Sequence, residues 1–255
     1  MSTDHDWSRW GRQDPYFAVV TDPQFRLARL TPSAKQAFFA DGRRHVDYVL
    51  HGCRQLAGAS FKPARVLDFG CGVGRVLLPF ARLAEAVVGV DVAPAMLEQA
   101  RANADEQGLR NVALALSDDA LSRVDGRFDL VHSSITLQHI APARGRALFA
   151  RLVERVADGG IGAIHLTYAK AAHPRSFGRQ PAWAARPRLR FWRCAAGREP
   201  DDPGMRMHSH DLNEIMFILQ SAGVERLHLD FTNHGGELGT FLFFAAPDAL
   251  GGDRP

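Results

Sequence analysis

The sequence predicts a doubly wound α/β fold, in which helices cover both faces of a mostly parallel sheet, and three observations predict it. A short apolar strand ends at Asp68 and leads into a turn with alternate glycines over residues 70–74. An apolar stretch of helical character, residues 76–83, follows at once. Later apolar runs have the near-continuous pattern of buried parallel strands. These runs are residues 86–90, 111–116, 128–134 and 161–168. Such a fold binds its ligand at the carboxyl ends of the strands.

The glycine turn does not match the dinucleotide fingerprint G-x-G-x-x-G, in which a helix N-terminus and backbone N–H groups hold a pyrophosphate. Counted from Gly70, the third glycine would fall at position 75, which is arginine, and counting from Gly72 also fails. Asp68 would lie close to the pyrophosphate and repel it. An acid at this strand end instead suits a cationic group such as an α-ammonium.

The second strand ends at Asp91, 21 residues after Gly70, where a ribose-binding acid belongs in such a unit. NAD and S-adenosylmethionine share that sugar, so Asp91 does not distinguish them. Pro94 suits the first turn of the next helix, where its missing N–H costs nothing, and Met96 begins the apolar stripe of that helix.

Residues 65–75 and 91–100 together resemble motif I, and the segment after it, of the class I S-adenosylmethionine-dependent methyltransferases. The resemblance implies a seven-stranded Rossmann-like sheet with an antiparallel last strand. It also implies S-adenosylmethionine as cofactor, because its methionine end carries an ammonium and a sulfonium but no phosphate. In the family, residues matching Val92 and Met96 flank the adenine. The other cofactor contacts implied in these two segments are Asp68, Gly70, Cys71, Gly72, Gly74 and Asp91.

The third and fourth strands extend the resemblance. The third strand ends in Asp118 and Asp119, and the family has an acid here that accepts from the adenine amine. Asp118 aligns best with it, although two adjacent acids are also typical of a solvated loop. Residues 128–140 resemble the fourth-strand motif, which brings Ser133 to the far side of the cofactor.

Composition limits the alternatives. With 255 residues, 46% of them hydrophobic, the chain can form one substantial α/β domain with additions. Its three cysteines are Cys53, Cys71 and Cys194, and their spacings predict neither disulfides nor a zinc site. No His/Cys/Asp/Glu cluster has metal-ligand spacing, so we predict no metal. We also predict no membrane partner and a cytoplasmic location, because no apolar run is long enough to span a membrane and no signal layout opens the chain. A formal charge of +3 is too mild to require nucleic acid.

Four zones are predicted along the chain. Residues 1–60 form a helical cover, with helices at 34–39 and 44–56 separated near Gly42, and with Tyr16 contacting cofactor or substrate. Residues 61–168 form the cofactor-binding core, whose last helix, 141–157, ends at the glycine pair 159–160. Residues 169–207 are an insertion. Residues 208–255 add a helix and a closing β-hairpin whose last strand is inserted antiparallel.

The insertion has eight arginines against three acids. They are Arg175, Arg179, Arg186, Arg188, Arg190, Arg193, Arg198 and Arg206. Because the segment leaves from the carboxyl end of the fifth strand, one interpretation is a substrate cap that selects an anionic acceptor. The other is a solvated insertion or an oligomer contact.

Three residues are candidates for catalysis, because a base helps when the acceptor is a hydroxyl, a protonated amine or an acidic carbon. His139 leads, since it follows the fourth strand and faces the methyl group in the related topology; the alternative is that it orders the loop and packs beside the cofactor. His234 lies in the hairpin loop, where a turn composition is also ordinary. Tyr168, at the end of the fifth strand, could equally be core.

The acceptor class is narrowed by absence. Residues 133–136 read Ser-Ser-Ile-Thr and lack the Asn/Asp-Pro-Pro-Tyr signature of amino-methylating DNA enzymes. No RNA-binding module is evident. A small-molecule acceptor is therefore predicted and no nucleic-acid partner. Two alternatives remain: an NAD-dependent oxidoreductase, which Asp68 and Arg75 disfavour, and a cofactor-binding fold without catalysis that acts as a regulatory subunit.

Overall fold

A seven-stranded mixed sheet runs through the computed structural model, which describes residues 3–179 and 199–247. The strand order is β3-β2-β1-β4-β5-β7-β6. The strands are β1 (Arg65–Phe69), β2 (Ala86–Asp91), β3 (Val112–Leu116), β4 (Phe128–Ser133), β5 (Val156–Lys170), β6 (Leu227–His234) and β7 (Glu237–Ala245). Neighbours among β1 to β5 pair in parallel. β7 lies between β5 and β6 and is antiparallel to both, so the predicted topology and the inserted last strand are confirmed.

Helices cover both faces of this sheet. In the described residues they are α1 (Thr3–Gln13), α2 (Pro15–Val19), α3 (Pro32–Ala57), α4 (Leu77–Ala81), α5 (Pro94–Glu106), α6 (Pro142–Glu154) and α7 (Leu212–Ser221). Apolar side chains from α1 to α5 form one core with Val66, Leu130 and Phe243 of the sheet. Side chains from α6 and α7 form a second core on the opposite face. Alternate residues of each strand enter opposite cores, so burying both faces requires the near-continuous apolar runs seen in the sequence.

The predicted break near Gly42 is wrong, because α3 continues through it from Pro32 to Ala57. A Cβ on Gly42 would lie only 1.9 Å from the carbonyl oxygen of Arg75. The glycine therefore allows the helix to approach the backbone beside the glycine turn, and it does not end a helix. A side-chain ion pair between Arg75 and Asp41, 2.8 Å, adjoins the contact.

The predicted end of the helix over residues 141–157 is also wrong. α6 ends at Glu154, and β5 begins at Val156, before the glycine pair. A Cβ on Gly160 would crowd three backbone oxygens, those of Ala157, Phe128 and Asp129, at 2.9–3.1 Å. The glycines thus belong to an irregularity in the β4–β5 pairing, where the register shifts between Phe128 and Leu130.

The amino-terminal segment packs on the last part of the insertion, residues 199–207. The guanidinium of Arg26 forms ion pairs with Asp14 and Asp202, and all three side chains are almost fully buried. The indole of Trp10 donates to the carbonyl of Gly204 at 3.4 Å. The arginines at 186, 188, 190, 193 and 198, and Cys194, lie outside the described residues. Within the described ranges, no helix is both long enough and apolar enough to cross a membrane.

Candidate active site

A cavity of about 120 Å³ opens at the carboxyl ends of β1, β2 and β4. Its floor is the glycine turn, its walls are the loops after β2 and β4, and its cover comes from the amino-terminal helices. Of the sequence-predicted residues, those that line it are Asp68, Gly70, Cys71, Gly72, Asp91, Val92, Met96 and His139. The structure therefore brings the residues of the first two strand ends together in one chamber.

Tight packing around the glycine turn explains the alternate glycines. Gly70 and Gly72 have positive φ angles of 77° and 53°. A Cβ would lie 2.2 Å from the hydroxyl of Thr136 at Gly70, and 2.6 Å from the side chain of Val19 at Gly72. Bare backbone therefore borders the cavity at this point. Gly74, also at positive φ, faces Leu78 instead of the cavity.

Cys71 contributes mainly backbone to this turn. Its N–H donates to the carbonyl of Val90 at 3.0 Å, which ties the turn to β2. Burial raises the pKa of its thiol well above the usual range. The thiol is therefore protonated at neutral pH and is a poor nucleophile.

Asp91 is fixed by the turn that it follows. One carboxylate oxygen accepts from the Gly72 N–H and the other from the Ala93 N–H, each at 2.9 Å. Burial raises the pKa of Asp91 to about 6 despite these two hydrogen bonds. The carboxylate therefore faces the cavity in a defined orientation, with acceptor lone pairs left for a ligand.

Asp68 has a partner that sequence reasoning missed. One of its carboxylate oxygens lies 2.7 Å from Nδ1 of His132, which is on β4 and also lines the cavity. Nε2 of His132 lies 3.0 Å from Nε2 of His45 on α3. No local signal could have found this set, because the three residues meet only when two strands and a helix pack together.

Two predicted cofactor contacts, Asp118 at the adenine and its neighbour Asp119, do not line the cavity. The carboxylate of Asp118 accepts from the backbone N–H groups of Ala120 and Ser122, at 3.1 and 2.9 Å, and so closes a local turn. Asp119 is exposed and accepts from the guanidinium of Arg144 at 2.8 Å. At this strand end Ser117 lines the cavity instead.

Ser133 and Tyr16 are also outside the cavity lining. Ser133 is fully buried, and its hydroxyl donates to the carbonyl of Phe69 at 3.0 Å. The hydroxyl of Tyr16 donates to the Asn103 side chain at 2.7 Å, and its ring packs against Phe38 in the core.

The cover of the cavity comes from neighbours of Tyr16. Thr3, Asp4 and Trp7 of α1 contribute to the lining, with Ala18 and Val19 of the α2 region. Side chains of the amino-terminal helices other than Tyr16 therefore line one side of the cavity.

Arg144 holds this cover against the loop side of the cavity. Its guanidinium donates to Asp4 of α1 at 2.6 Å and to Asp119 at 2.8 Å. The side chain is about one-third exposed, so these ion pairs contribute modestly to stability.

His139 is the one catalytic candidate of the three that lines this cavity. Its Nδ1 lies 2.8 Å from the carbonyl of Arg206 and therefore donates to it, so Nε2 is the acceptor nitrogen when the ring is neutral, and the side-chain amide nitrogen of Gln138 lies 3.5 Å from this Nε2. The ring packs edge-on against Trp7, with centroids 5.0 Å apart. His139 thus contacts the cover and the end of the insertion, and it lies in the loop after β4.

Tyr168 and His234 lie elsewhere. Tyr168 lines a separate depression with Lys170 and His208, at the carboxyl end of β5. His234 is exposed in the hairpin, and its ring packs edge-on against His165 at 5.1 Å. In the described parts of the chain, no group of three or more His, Cys, Asp or Glu side chains could hold a metal ion.

The fold and the glycine-lined cavity define the class I, Rossmann-like methyltransferase architecture. Residues 66–160 match the family model described as a methyltransferase domain. The central part of the chain is therefore similar to a methyltransferase domain, in agreement with the resemblance that the sequence showed.

Individual relatives share this central region. The chain is 40% identical over 100 residues to aklanonic acid methyltransferase DauC of Streptomyces sp. (strain C5), covering 38% of this chain and 44% of that protein. It is 35% identical over 160 residues to a ubiquinone biosynthesis O-methyltransferase of Azorhizobium caulinodans, covering 61% of this chain and 60% of that protein. The chain thus spans less than two-thirds of the length of either curated relative.

Solved structures share the fold over a larger part of the chain. N-methyltransferase NodS from Bradyrhizobium japonicum WM9, in complex with S-adenosyl-L-homocysteine, superposes with a TM-score of 0.59 at 14% identity, covering 97% of this chain and all of that one. Magnesium protoporphyrin IX methyltransferase from Synechocystis PCC 6803, with bound SAH, superposes with a TM-score of 0.57 at 20% identity, covering 83% of this chain and 86% of that one. At these identities the likeness describes the fold.

Proposed function

We propose that this protein is an S-adenosylmethionine-dependent methyltransferase that methylates a small molecule. The observation that carries the proposal is the cavity in which Asp68, bare glycine backbone and Asp91 meet at the carboxyl ends of β1 and β2. Two carboxylates beside uncovered backbone suit a cofactor that has a cationic end and a ribose but no phosphate. An NAD cofactor would bring a pyrophosphate against Asp68, and Arg75 replaces the third glycine of its fingerprint.

The residues present fit this cofactor. Asp91 would accept from the ribose hydroxyls, since its carboxylate is fixed by backbone donors and faces the cavity. Asp68 would accept from the α-ammonium. Val92 and Met96 offer apolar surface for the adenine at the end of β2. When bound, the cofactor supplies a methyl group on a cationic sulfur, and S-adenosylhomocysteine is the product.

The cover has a chemical role in this proposal. Trp7 and Val19 line the cavity on its amino-terminal side, where they would restrict the access of water to a bound cofactor. Exclusion of water strengthens the attraction between the cavity carboxylates and a cationic ligand. It also prevents water from competing with the acceptor for the methyl group. A well-placed acceptor needs little further activation, because effective molarities of ~10⁵ M or more are reached by alignment alone.

His139 is the residue that we propose at the acceptor side. With Nδ1 donating to the Arg206 carbonyl, Nε2 is the basic nitrogen; it would accept a proton or a hydrogen bond from an acceptor group that replaces its long, 3.5 Å contact with the Gln138 amide. Its second possible role, ordering the loop after β4, is compatible with the same hydrogen bond. Measurements of turnover and cofactor affinity distinguish the two roles, because replacing a loop-ordering residue changes cofactor affinity as well as turnover.

A small-molecule acceptor and a cytoplasmic location complete the proposal. The curated relatives named above act, by their names, on small molecules such as aklanonic acid. The alternative function is that of a cofactor-binding protein without catalysis.

Two measurements test the function. Isothermal titration with S-adenosylhomocysteine and with NAD should give micromolar binding of the first and none of the second; the opposite result, or no binding of either, contradicts the proposal. Incubation with methyl-labelled S-adenosylmethionine and a metabolite extract should label a small molecule. Tight cofactor binding without any labelled product would favour the non-catalytic alternative.

A further inference from the structure

Three side chains form a hydrogen-bonded chain from the cavity towards the surface beneath α3. Asp68 on β1 and His132 on β4 are paired across the sheet, and His45 lies above them on the helix. His132 Nδ1 is 2.7 Å from an oxygen of Asp68, and its Nε2 is 3.0 Å from Nε2 of His45. The side chains of His132 and Asp68 are 1% and 3% exposed, while His45 is only partly covered.

The direction of the first hydrogen bond follows from chemistry. An ionised carboxylate only accepts, so Nδ1 of His132 carries the proton that is donated to Asp68. The two Nε2 atoms share one proton, which ties the ring of His132 to that of His45. Burial and the neighbouring His132 lower the pKa of His45, so His45 is neutral at physiological pH.

Aromatic packing holds the middle ring in place. The ring of His132 lies edge-on to Phe80, with centroids 5.5 Å apart, and stacks on Phe241 at 6.0 Å. With these neighbours and His45 around it, the ring cannot turn its Nδ1 away from Asp68 without breaking both hydrogen bonds. Arg75, another charged group in this part of the cavity lining, is paired with Asp41.

The second carboxylate oxygen of Asp68 has no hydrogen-bond partner among the described residues, and Asp68 lines the cavity. We propose that His132, held by His45, is a positioning residue: it fixes Asp68 so that this second oxygen receives the α-ammonium of the cofactor. The proposal rests on the proposed function. It names two residues, His132 and His45, that act on the ligand through Asp68.

The expected effect is specific to one chemical group. Without the His132 donor, the buried carboxylate loses a charge-assisted hydrogen bond and no longer presents a fixed anion. Affinity for S-adenosylhomocysteine should then fall about 10-fold or more, since a hydrogen bond to a charged group carries that much free energy. A deaminated analogue of S-adenosylhomocysteine, which keeps the adenosine, the sulfur and the carboxylate, should lose almost nothing.

The experiment compares both ligands by titration calorimetry in the full chain. His132→Phe should reduce the ratio of the two affinities about 10-fold, and His132→Asn, which can place an amide N–H near the Nδ1 position, should restore most of it. His165→Phe is the matched control, because His165 is equally buried on the same sheet but bonds to Thr232. It should leave the ratio unchanged.

Several outcomes would overturn the inference. One is a His132→Phe protein that binds both ligands as the wild type does, and another is one that loses both equally. If that variant does not fold, nitrogen-15 NMR of histidine-labelled wild-type protein decides the matter: one ring should have a protonated Nδ1 whose signal moves with S-adenosylhomocysteine and not with the analogue. Equal responses would contradict the proposal. Failure of the wild type to bind S-adenosylhomocysteine would instead refute the proposed function.

Discussion

Replacing Gly42 with alanine tests the packing of α3 on the glycine turn, because two physical effects predict opposite signs. A glycine in the middle of a helix costs about 1 kcal/mol relative to alanine, so helix propensity alone predicts stabilisation. The structure predicts destabilisation. A Cβ at this position would lie 1.9 Å from the carbonyl oxygen of Arg75 and 2.8 Å from its carbonyl carbon.

The magnitude follows from this overlap. Ordinary contact begins near 3.4 Å, so the helix and the Arg75 backbone must separate by about 1.5 Å. Both sides of the contact are attached to backbone, so no side-chain rotation relieves it. Forced overpacking costs about 1–3 kcal/mol, and more in severe cases. Because this contact is with rigid backbone, we take the upper end of that range, about 3 kcal/mol; subtracting the gain of about 1 kcal/mol in helix propensity leaves an expected net loss of about 2 kcal/mol.

Equilibrium unfolding in urea measures the effect directly. Ala37→Gly in the exposed part of the same helix is the control, and it should lose about 1 kcal/mol through propensity alone. The midpoint for Gly42→Ala should fall below that of the wild type with an unchanged slope. A variant as stable as the wild type, or more stable, would refute the packing argument.

The remaining predictions concern the cavity. Asp91→Ala should weaken S-adenosylhomocysteine about 10-fold or more in calorimetry, through loss of charge-assisted ribose bonds, and unchanged affinity in a folded variant would contradict the assignment. The pKa of Asp91 is about 6, and cofactor binding favours the carboxylate form. The affinity of the wild type for S-adenosylhomocysteine should therefore be constant above pH 7 and fall towards pH 5. If the same pH dependence persists in Asp91→Ala, another group causes it. His139→Gln should reduce turnover by about 10²-fold or more while S-adenosylhomocysteine affinity stays within about 2-fold, as expected for a proton acceptor; a parallel loss of affinity would favour the loop-ordering role. Arg144→Met removes the ion pairs to Asp4 and Asp119. Stopped-flow measurements should then show faster release of S-adenosylhomocysteine, while the free energy of unfolding falls by less than about 1 kcal/mol. An unchanged release rate would mean that these ion pairs do not hold the cover.

Local chemistry along the chain made the strands and the cofactor turn predictable. Asp68, the alternate glycines and Asp91 were found because a strand end, a tight turn and the next strand end are read within about thirty residues of sequence. The inserted antiparallel strand β7 was anticipated from the resemblance of the closing hairpin, and its pairing with β5 and β6 agrees.

Predictions based on neighbouring residues were less successful where tertiary packing decides the role of a residue. Gly42 was read as a helix break because glycine is a poor helix former, but its reason is the carbonyl of Arg75, 33 residues away. Asp118 and Tyr16 were assigned to the ligand by their place in the sequence. Their polar groups are instead bonded within a turn and to Asn103.

The sequence by itself therefore determined the fold class and the floor of the cavity, because both depend on patterns carried by adjacent residues. The tertiary structure alone decided which side chains surround that floor. His45 and His132 are 87 residues apart in sequence, yet they share a proton behind Asp68. Such contacts depend on how a helix crosses a sheet, and that crossing is set by the packing of the whole core.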